Sequence, residues 1–328
     1  MGINLSCIQI RMPHLEEHMR KRFEISAMRL LENIFATGLF ENPYVDVDHT
    51  CELVGCPEYT QLGYEAQLKS VVMLKNDKKS LPQTKGRKVF VAKRFIAERK
   101  DWFGNVLSET TEYPINILKK YYTLVENPEE ADFALVFVTS PISDGYSQKD
   151  FEAGGNGYLP ITLQYRPYTA TNTRKESIGY GDILEGDINR SYFGKTNVAE
   201  NESDLDLILE VKQQMKDKPV IVCTHLKKPS VVSEFEKQID GLVAHFGVQD
   251  QALLDVISGE FEPSGLLPFQ LPANMETVEN QQEDLAHDME CHVDSEGHLY
   301  DFGYRLNWNG VINDERVKNY KHFEMSKK

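Results

Sequence analysis

The residue types with the clearest chemical use lie in one long irregular segment, residues 140–203. This segment is rich in Tyr, Arg and Asn, and it also contains several Gly residues. Aromatic ring faces together with guanidinium and amide groups suit the binding of sugars. An equally open alternative is that these side chains attach the segment to its own domain. The residues that we select as candidate sugar contacts are Tyr146, Asn156, Tyr158, Arg166, Arg174 and Arg190.

Two other patterns could suggest metal or nucleotide chemistry, and neither has the required spacing. Acidic residues and histidines alternate over 288–296, but Val293 stands where a calcium loop of the EF-hand type needs its central Gly. The histidines nearby form no i, i+4 helical pair for zinc. The glycines of 154–157 lack the G-x-G-x-x-G order and the following helix of a dinucleotide loop. We therefore predict no metal and no cofactor.

Short apolar runs alternate with helical patterns through the middle of the chain. The run Phe133–Val138 is almost continuously apolar, which is typical of a strand buried on both faces. This alternation predicts a doubly wound α/β fold, a mainly parallel sheet sandwiched by helices. The predicted strands are 89–92, 133–138, 220–223, 241–246 and 267–271, and the predicted helices are 115–122, 205–215, 230–238 and 249–258.

The position of the polar segment within that fold matters for function. In open α/β sheets, ligands bind in the crevice beyond the carboxyl ends of the strands. Residues 140–203 leave the predicted sheet directly after Val138, at such an end. A stretch of this length without regular structure is usually functional or disordered, and its aromatic content argues against disorder.

The first part of the chain has a different character. Apolar residues recur at helical spacing from His14 to Phe35, and Gly38 supplies a stop signal, so we predict an amphipathic helix that needs a partner surface. A turn-rich linker with Pro43, Gly55 and Pro57 follows, and a second helix is predicted from about residue 60.

Composition excludes several classes of protein. The 328 residues include 41% hydrophobic residues, which excludes disorder of the whole chain. With 36 basic and 51 acidic residues the net charge is −15, which disfavours nucleic acid as a partner. The stretch 238–304 has no Lys or Arg and 14 acidic residues; it is either a solvated surface or a face for a cation or a positive partner. No apolar run has the length of a membrane span, so we predict no membrane partner.

The N-terminal residues bear on cellular location. MGINLSC matches a short myristoylation pattern at Gly2 and Ser6, but neither a basic region nor an apolar core of a signal peptide precedes Cys7. Five cysteines without a C-x-x-C pair suit free thiols in a reducing compartment. As it stands, the chain is expected in the cytoplasm.

Six strings, in order, resemble glycoside hydrolase family 3 of the β-glucosidase and β-xylosidase type. They are LFENPY (39–44), LKSVVMLKND (68–77) with Leu81-Pro82, ADFALVFV (131–138), KPVIV (218–222), SGEFEPSGLLPFQLP (258–272) and YDFGYRLNW (300–308). Members of this family have an N-terminal barrel, a linker and a C-terminal α/β sandwich domain. The resemblance implies the last barrel helix in 1–38, the linker in 39–67, the sandwich domain in 68–309 with the 140–203 insertion, and a tail in 310–328. Most of the barrel would then be missing, and full-length members are often exported.

The resemblance also implies a catalytic role for the segment after Val138. Many family members carry an acid/base Glu there, in a Gly-Glu-Gly-Tyr-like context, whereas this chain has Ser143-Asp144-Gly145-Tyr146. Asp144 is therefore the first candidate for the acid/base. The alternative is that an Asp before a Gly simply forms a turn. Lower-ranked candidates on the same stretch are Asp150 and Glu152.

The family's nucleophile is an Asp near the end of the barrel, upstream of LFENPY. The chain is therefore predicted to be the C-terminal half of a glycosidase that hydrolyses O-glycosyl bonds of β-linked gluco- or xylo-oligosaccharides, with little activity alone. Two alternatives stay open: a carbohydrate-binding or interaction module without catalysis, and one half of a split enzyme. In each case helix 14–35 is expected to pack on its own sandwich domain, on a second copy or on a separate barrel chain.

Overall fold

The computed structural model describes residues 13–100, 106–111, 113–182, 188–282, 285 and 287–317. Two compact units divide the chain, Met1–Leu62 and Gly63–Lys328. The N-terminal residues that match the short myristoylation pattern lie outside the described residues. None of the described helices combines the length and the apolar character that a membrane crossing requires.

The first unit is helical. Helix α1 runs from Pro13 to Ala36, as the apolar periodicity predicted, and helix α2 from Val47 to Leu53 lies inside the stretch expected to be turn-rich. The Asp46 side chain caps α2 by accepting a hydrogen bond from the N–H of His49 at 3.0 Å, which explains why a helix forms there. Helix α3 runs from Pro57 to Ser70 across the division between the units.

The second unit is built on an eight-stranded mixed sheet. Its inner strands are β1 (Val72–Asn76), β2 (Lys88–Val91), β6 (Phe133–Thr139), β9 (Val220–His225), β10 (Gly241–His245) and β11 (Leu306–Asn307), and its two edge strands are β5 (Thr123–Val125) and β12 (Gly310–Val311). The order is β12-β11-β1-β10-β9-β6-β2-β5. Strands β10, β9, β6, β2 and β5 are parallel to one another, whereas the pairs β10–β1, β1–β11 and β11–β12 are antiparallel. This confirms the predicted mainly parallel α/β fold.

Helices flank this sheet, and two small antiparallel pairs lie outside it. The helices are α4 (Ile115–Leu118), α5 (Gln148–Glu152), α6 (Ser203–Met215), α7 (Asp250–Ser258) and α8 (Met275–Asn280). Strand β3 (Arg94–Lys100) pairs with β4 (Val106–Thr111), and β7 (Tyr168–Thr169) pairs with β8 (Thr196–Asn197). The β7–β8 pair and α5 give regular structure to a segment that was expected to have none.

Two predicted elements are wrong. The expected helix 230–238 consists of two short 3-10 turns, Val232–Glu234 and Glu236–Gln238, because the backbone of Phe235 is not helical (φ −140, ψ −17). The expected strand 267–271 forms no ladder, since Pro268 and Pro272 cannot donate backbone hydrogen bonds. Its buried leucines instead make isolated backbone hydrogen bonds to the C-terminal segment. Leu267 N–H donates to the Tyr304 carbonyl at 3.1 Å and its carbonyl accepts from the Gly303 N–H at 2.9 Å, while Leu271 N–H donates to the Tyr300 carbonyl at 3.0 Å.

The C-terminal segment returns to the sheet through two buried tyrosines. The hydroxyls of Tyr300 and Tyr304 both donate to the carbonyl of Leu74 in β1, at 3.1 and 3.0 Å, and their rings stack at 4.9 Å. Leu306 of β11 then pairs with Met73. The aromatic closing string thus folds back over the sandwich domain, as the resemblance implied.

Candidate active site

The segment after β6 begins with a compact hairpin, which we call the 143–162 loop. The Ser143 hydroxyl donates to the Thr162 carbonyl and accepts from the Thr162 N–H, both at 3.0 Å. Further out, Ser147 N–H donates to the Gly157 carbonyl at 2.7 Å, and the N–H of residue 159 donates to the carbonyl of residue 145 at 2.9 Å. These cross-links give the loop a defined shape close to the carboxyl end of β6.

Glycine allows two side chains to fold inside this loop. Gly157 has φ +80, and a Cβ on it would lie 2.3 Å from the Tyr146 ring. The ring of Tyr146 in turn meets Tyr158 edge-to-face at 5.7 Å. A Cβ on Gly155 would lie 2.3 Å from the Asp150 carboxylate. Gly155 and Gly157 therefore permit close packing of Asp150 and Tyr146.

A cluster centred on Lys195 closes the outer end of the loop. The Lys195 ammonium donates to the Asp150 carboxylate at 2.6 Å and to the Asn156 amide oxygen at 2.5 Å. The Asn156 amide nitrogen donates to the carbonyls of Asn189 and Ser191, both at 2.7 Å. We call Lys195, Asp150 and Asn156 the Lys195 cluster; it joins the loop to the later part of the insertion.

The Lys195 cluster also decides what Asp150 can do. Hydrogen bonds from Lys195 and from the Gly157 N–H, at 2.8 Å, lower the pKa of the Asp150 carboxyl. A general acid needs a raised pKa so that it carries a proton at working pH. Asp150 is therefore an anchor of the loop and a poor candidate for the proton donor, and the amide of Asn156 is used in the same cluster.

Asp144 is presented differently from Asp150. Its side chain is exposed, and its own carbonyl is held by the Asn197 amide at 2.8 Å, which also donates to the Pro160 carbonyl at 2.9 Å. The ammonium of Lys228 lies against the base of the loop, at 3.2 Å from the Ser143 hydroxyl and 3.3 Å from the Thr162 carbonyl. Burial lowers the pKa of Lys228, while the charge of Asp144 opposes that shift. The backbone of Asp144 is thus held by a hydrogen bond, its side chain is exposed to solvent, and the Lys228 ammonium lies nearby.

The remaining predicted residues have separate positions. Arg166 donates to Glu202 at 3.0 Å and to Asp206 at 2.5 Å at the start of α6, and these bonds raise its pKa. Glu152 is exposed and accepts from Gln148 at 3.0 Å. Arg174 and Arg190 are both exposed. Asp144, Tyr146 and Tyr158 therefore lie together in the 143–162 loop. Arg166 instead attaches the insertion to the start of α6.

Sequence reasoning missed three residues that hold this site: Lys195, Asn197 and Lys228. Each acts through an amide or ammonium group on a partner 37 to 85 residues away. Isolated Lys and Asn residues carry no periodic signal, so only the fold reveals them. Among the residues that the structure describes, no three His, Cys, Asp or Glu side chains could hold a metal ion. In the alternating stretch 288–296, the Asp294 carboxylate instead accepts from the Glu296 N–H at 2.9 Å and contacts the nearby His298 ring at 3.0 Å.

Comparison with known proteins identifies the fold of the second unit. The glycosyl hydrolase family 3 C-terminal domain matches residues 71–308. This match covers most of the chain, so the chain belongs to glycosyl hydrolase family 3 through its C-terminal α/β domain.

Individual relatives are longer than this chain. Beta-glucosidase C of Emericella nidulans is 29% identical over 279 residues, which are 84% of this chain and 35% of that protein. A periplasmic beta-glucosidase/beta-xylosidase of Dickeya chrysanthemi is 26% identical over 285 residues, 87% of this chain and 34% of that protein. Among solved structures, a beta-glucosidase from Listeria innocua in complex with gluconolactone has 17% identity and a TM-score of 0.49, and the match covers 85% of this chain and 38% of that one. The chain spans about a third of the length of the curated relatives it matches.

Proposed function

We propose that this domain forms one side of a β-glycosidase active site and that Asp144 is its general acid/base. The observation that carries the proposal is the position of Asp144-Gly-Tyr, on the loop that follows β6, where the family resemblance expects the acid/base. The substrate class, β-linked glucosides or xylosides, follows from the names of the relatives. The exposed side chain and fixed backbone of Asp144 support the proposal.

The chemistry explains why the domain needs a second carboxylate. A retaining glycosidase uses a nucleophile and an acid/base whose carboxyl groups are about 5–5.5 Å apart across the scissile bond. By the family resemblance, the nucleophile belongs to the barrel. The loop would donate a proton to the leaving oxygen and later take one from water. Without the nucleophile, the glycosyl-enzyme intermediate cannot form, so the purified chain should hydrolyse little or nothing by itself.

Tyr146 is the strongest candidate for a sugar contact on this loop. Its ring is 45% exposed and supported edge-on by Tyr158, so one face is available to stack on a pyranose. Tyr180, in the same insertion, is also 45% exposed and offers a matched control. We propose Tyr146 and Tyr158 as the aromatic wall of the site. Arg174 and Arg190 stay predictions.

A binding and turnover experiment tests the proposal. Cello- and xylo-oligosaccharides are titrated into the purified chain and into Tyr146→Ala and Tyr180→Ala variants, with ligand-observed NMR as the readout. Tyr146→Ala should weaken binding about five-fold or more and Tyr180→Ala should not. Aryl β-glucosides and β-xylosides are assayed in parallel. Equal binding by both variants would refute the aromatic wall, and turnover at a full-length enzyme's rate would refute the need for a barrel nucleophile.

The role of Asp144 requires the nucleophile to be present. Adding a family 3 barrel chain should restore hydrolysis if the halves can assemble. Asp144→Asn should then lose most of that activity, and Asp144→Glu should keep more of it, because Glu also carries a proton. Restored activity that is indifferent to Asp144→Asn would move the acid/base to another residue.

We also propose that α1 packs against a barrel domain. Its apolar side chains are exposed in the first unit; Phe23, Met28 and Leu30 are 62%, 70% and 73% exposed. Exposed apolar surface of this kind marks an interaction site. Light scattering of the chain alone and with a barrel chain tests this. A heterocomplex supports the proposal, and a monomer that ignores the barrel contradicts it. A stable homo-oligomer would favour a second copy as the partner.

A further inference from the structure

A cavity lies at the carboxyl edge of the parallel strands, and it is distinct from the 143–162 loop. It has a volume of about 260 Å³ and is lined by the ends of β6, β9 and β10, by Tyr113 and by the first residue of α7. We call it the crevice. Open α/β sheets bind ligands at this edge, so its place in the fold is one where a site is expected.

The crevice brings together two histidines from neighbouring strands. His225 ends β9 and His245 ends β10, and the two are paired in register. Their rings stack at 5.0 Å with 19° between the planes. Burial lowers the pKa of His245 to about 4, and burial together with the charges of Lys227 and Arg94 lowers the pKa of His225. At neutral pH both rings are uncharged, so each can both donate and accept a hydrogen bond.

The tautomer of His245 can be assigned from a backbone contact. The Gly247 N–H donates to His245 Nδ1 at 3.4 Å, which places the ring hydrogen on Nε2. The stacked His225 ring lines the crevice beside it. The histidine pair therefore keeps hydrogen-bonding capacity for a further group.

An unsatisfied buried hydroxyl also lines the crevice. The oxygen of Tyr113 makes no hydrogen bond of regular geometry among the described residues. Burial raises the pKa of Tyr113, and the charge of Asp250 and its hydrogen-bonding contact with the hydroxyl add to that shift. Buried polar atoms in folded proteins almost always have a partner, so such an atom in a cavity wall is available to hydrogen-bond a ligand. The Tyr113 ring stacks on Phe137, which holds the hydroxyl in place.

Charge in the crevice argues against an anion. Arg94 is the cation of the lining, and its guanidinium is already held by the buried Asp204 carboxylate through two bonds of 2.6 Å. Asp250 adds a negative charge to the wall. The site thus offers neutral donors and acceptors and one carboxylate, which is the chemistry that recognises hydroxyl groups.

We propose that the crevice binds a single neutral sugar ring, through the histidine pair, the Tyr113 hydroxyl and Asp250. Its volume is just below the roughly 300 Å³ at which sites for drug-sized molecules begin, so one ring fits and an oligosaccharide does not. The choice of glucose and xylose as probes rests on the proposed function, whereas the site itself rests on the cavity. A site of this kind would make the domain responsive to free monosaccharide.

The test follows the histidine ring signals in the full chain by NMR. Glucose and xylose should shift the signals of His225 and His245, with millimolar affinity, and phosphate and citrate should not. Tyr113→Phe removes only the hydroxyl and should weaken this binding about five-fold. Since that hydroxyl makes no hydrogen bond of regular geometry to the described residues, the variant should fold with a melting temperature close to or above that of the parent.

Variants of the loop separate this proposal from the previous one. Tyr146→Ala should leave the sugar-induced shifts of the two histidines unchanged, whatever happens to oligosaccharide binding at the loop. The proposal is overturned if the sugars leave the histidines unshifted, if Tyr113→Phe binds as well as the parent, or if Tyr146→Ala abolishes the shifts. It is also overturned if phosphate or citrate competes for the crevice better than glucose.

Discussion

Two lysines in this domain each join segments that are far apart in the chain, and they do so in different environments. Lys75 lies in a cluster with Asp77, Glu236 and Ser295, where the lysine and glutamate side chains are 1% and 0% exposed. Lys195 and Asp150 in the loop are 24% and 30% exposed. The first cluster ties the sheet to the C-terminal segment, whereas the second shapes a surface loop.

The difference in burial changes what each ion pair contributes. A buried charge without its partner is strongly destabilising, while an exposed pair contributes about 0–1 kcal/mol. His292, at 3.3 Å from the Glu236 carboxylate, adds to the buried network. The Lys75 cluster should therefore govern global stability, and the Lys195 cluster should govern the local geometry of the candidate site.

The largest expected effect is that of Lys75→Met. Removing the ammonium leaves the fully buried Glu236 carboxylate without its main cation, and the free energy of unfolding should fall by about 3–5 kcal/mol. Urea unfolding followed by circular dichroism measures the loss. Lys85→Met is the matched control, because Lys85 pairs at 3.0 Å with Glu260 at the surface, at 46% and 53% exposure, and should change stability by less than about 1 kcal/mol. Equal effects of the two variants would break the comparison.

Lowering the pH should weaken the same buried network and reduce the stability of the fold. Although burial alone would raise it, bonds from His292 and Lys75 lower the pKa of Glu236 to about 2. A depressed carboxyl pKa stabilises the fold above the unfolded value and loses that contribution as pH falls toward the folded value. Stability should therefore drop between about pH 4.5 and 2. Melting curves across this range for the parent and for Glu236→Gln test it; an identical slope in the variant would assign the acid loss to other carboxyls.

Gly157→Ala should have a moderate effect that is centred on the loop. The new methyl would meet the Tyr146 ring at 2.3 Å, and φ +80 is unfavourable for alanine. We expect a cost of about 1–3 kcal/mol, taken up by displacement of Tyr146. Tyrosine ring NMR signals and oligosaccharide binding should both change. Gly154→Ala is the control, because it has a similar φ of +90 but open space around its Cβ. If both variants behave alike, backbone conformation and not packing of Tyr146 sets the loop.

The smallest change in global stability is expected for Lys195→Met. Its pair with Asp150 is part-exposed, so the free energy of unfolding should fall by about 1 kcal/mol or less. The amides of Ser147 and Gly157 should nevertheless exchange faster with deuterium, because the loop loses its closing contact. Lys216→Met, which removes a surface pair with Glu129 at 3.3 Å, should leave those amides unchanged. Unaltered protection in Lys195→Met would show that the glycine packing alone holds the loop.

Much of the fold could be predicted because the local pattern of apolar residues indicates which segments are buried. The apolar runs at 133–138, 220–223 and 241–246 are strands, and the helical periodicities over 205–215 and 249–258 are helices. Prediction failed where distant groups override local preference. The helix expected over 230–238 is broken where Glu236 binds Lys75 and Glu234 accepts the N–H groups of Tyr165 and Arg166.

The candidate site was only partly predictable for a related reason. Its location after β6 follows from the order of strands, and Asp144 follows from the family resemblance. The role of Asp150 as an anchor depends on Lys195, which is 45 residues further along the chain. The pairing of His225 with His245 depends on two strands being neighbours in register. Neither contact can be predicted from residue spacing in the sequence.

The amino-acid sequence by itself determined which segments are buried, the α/β class and the family. Hydrophobic periodicity is a local property, and the six family strings can be read directly along the chain. Only the tertiary structure decided which charged and polar groups meet. Hydrogen bonds and ion pairs form over about 3 Å. Lys75 and Glu236 are 161 residues apart in the chain, and only folding brings them within that distance.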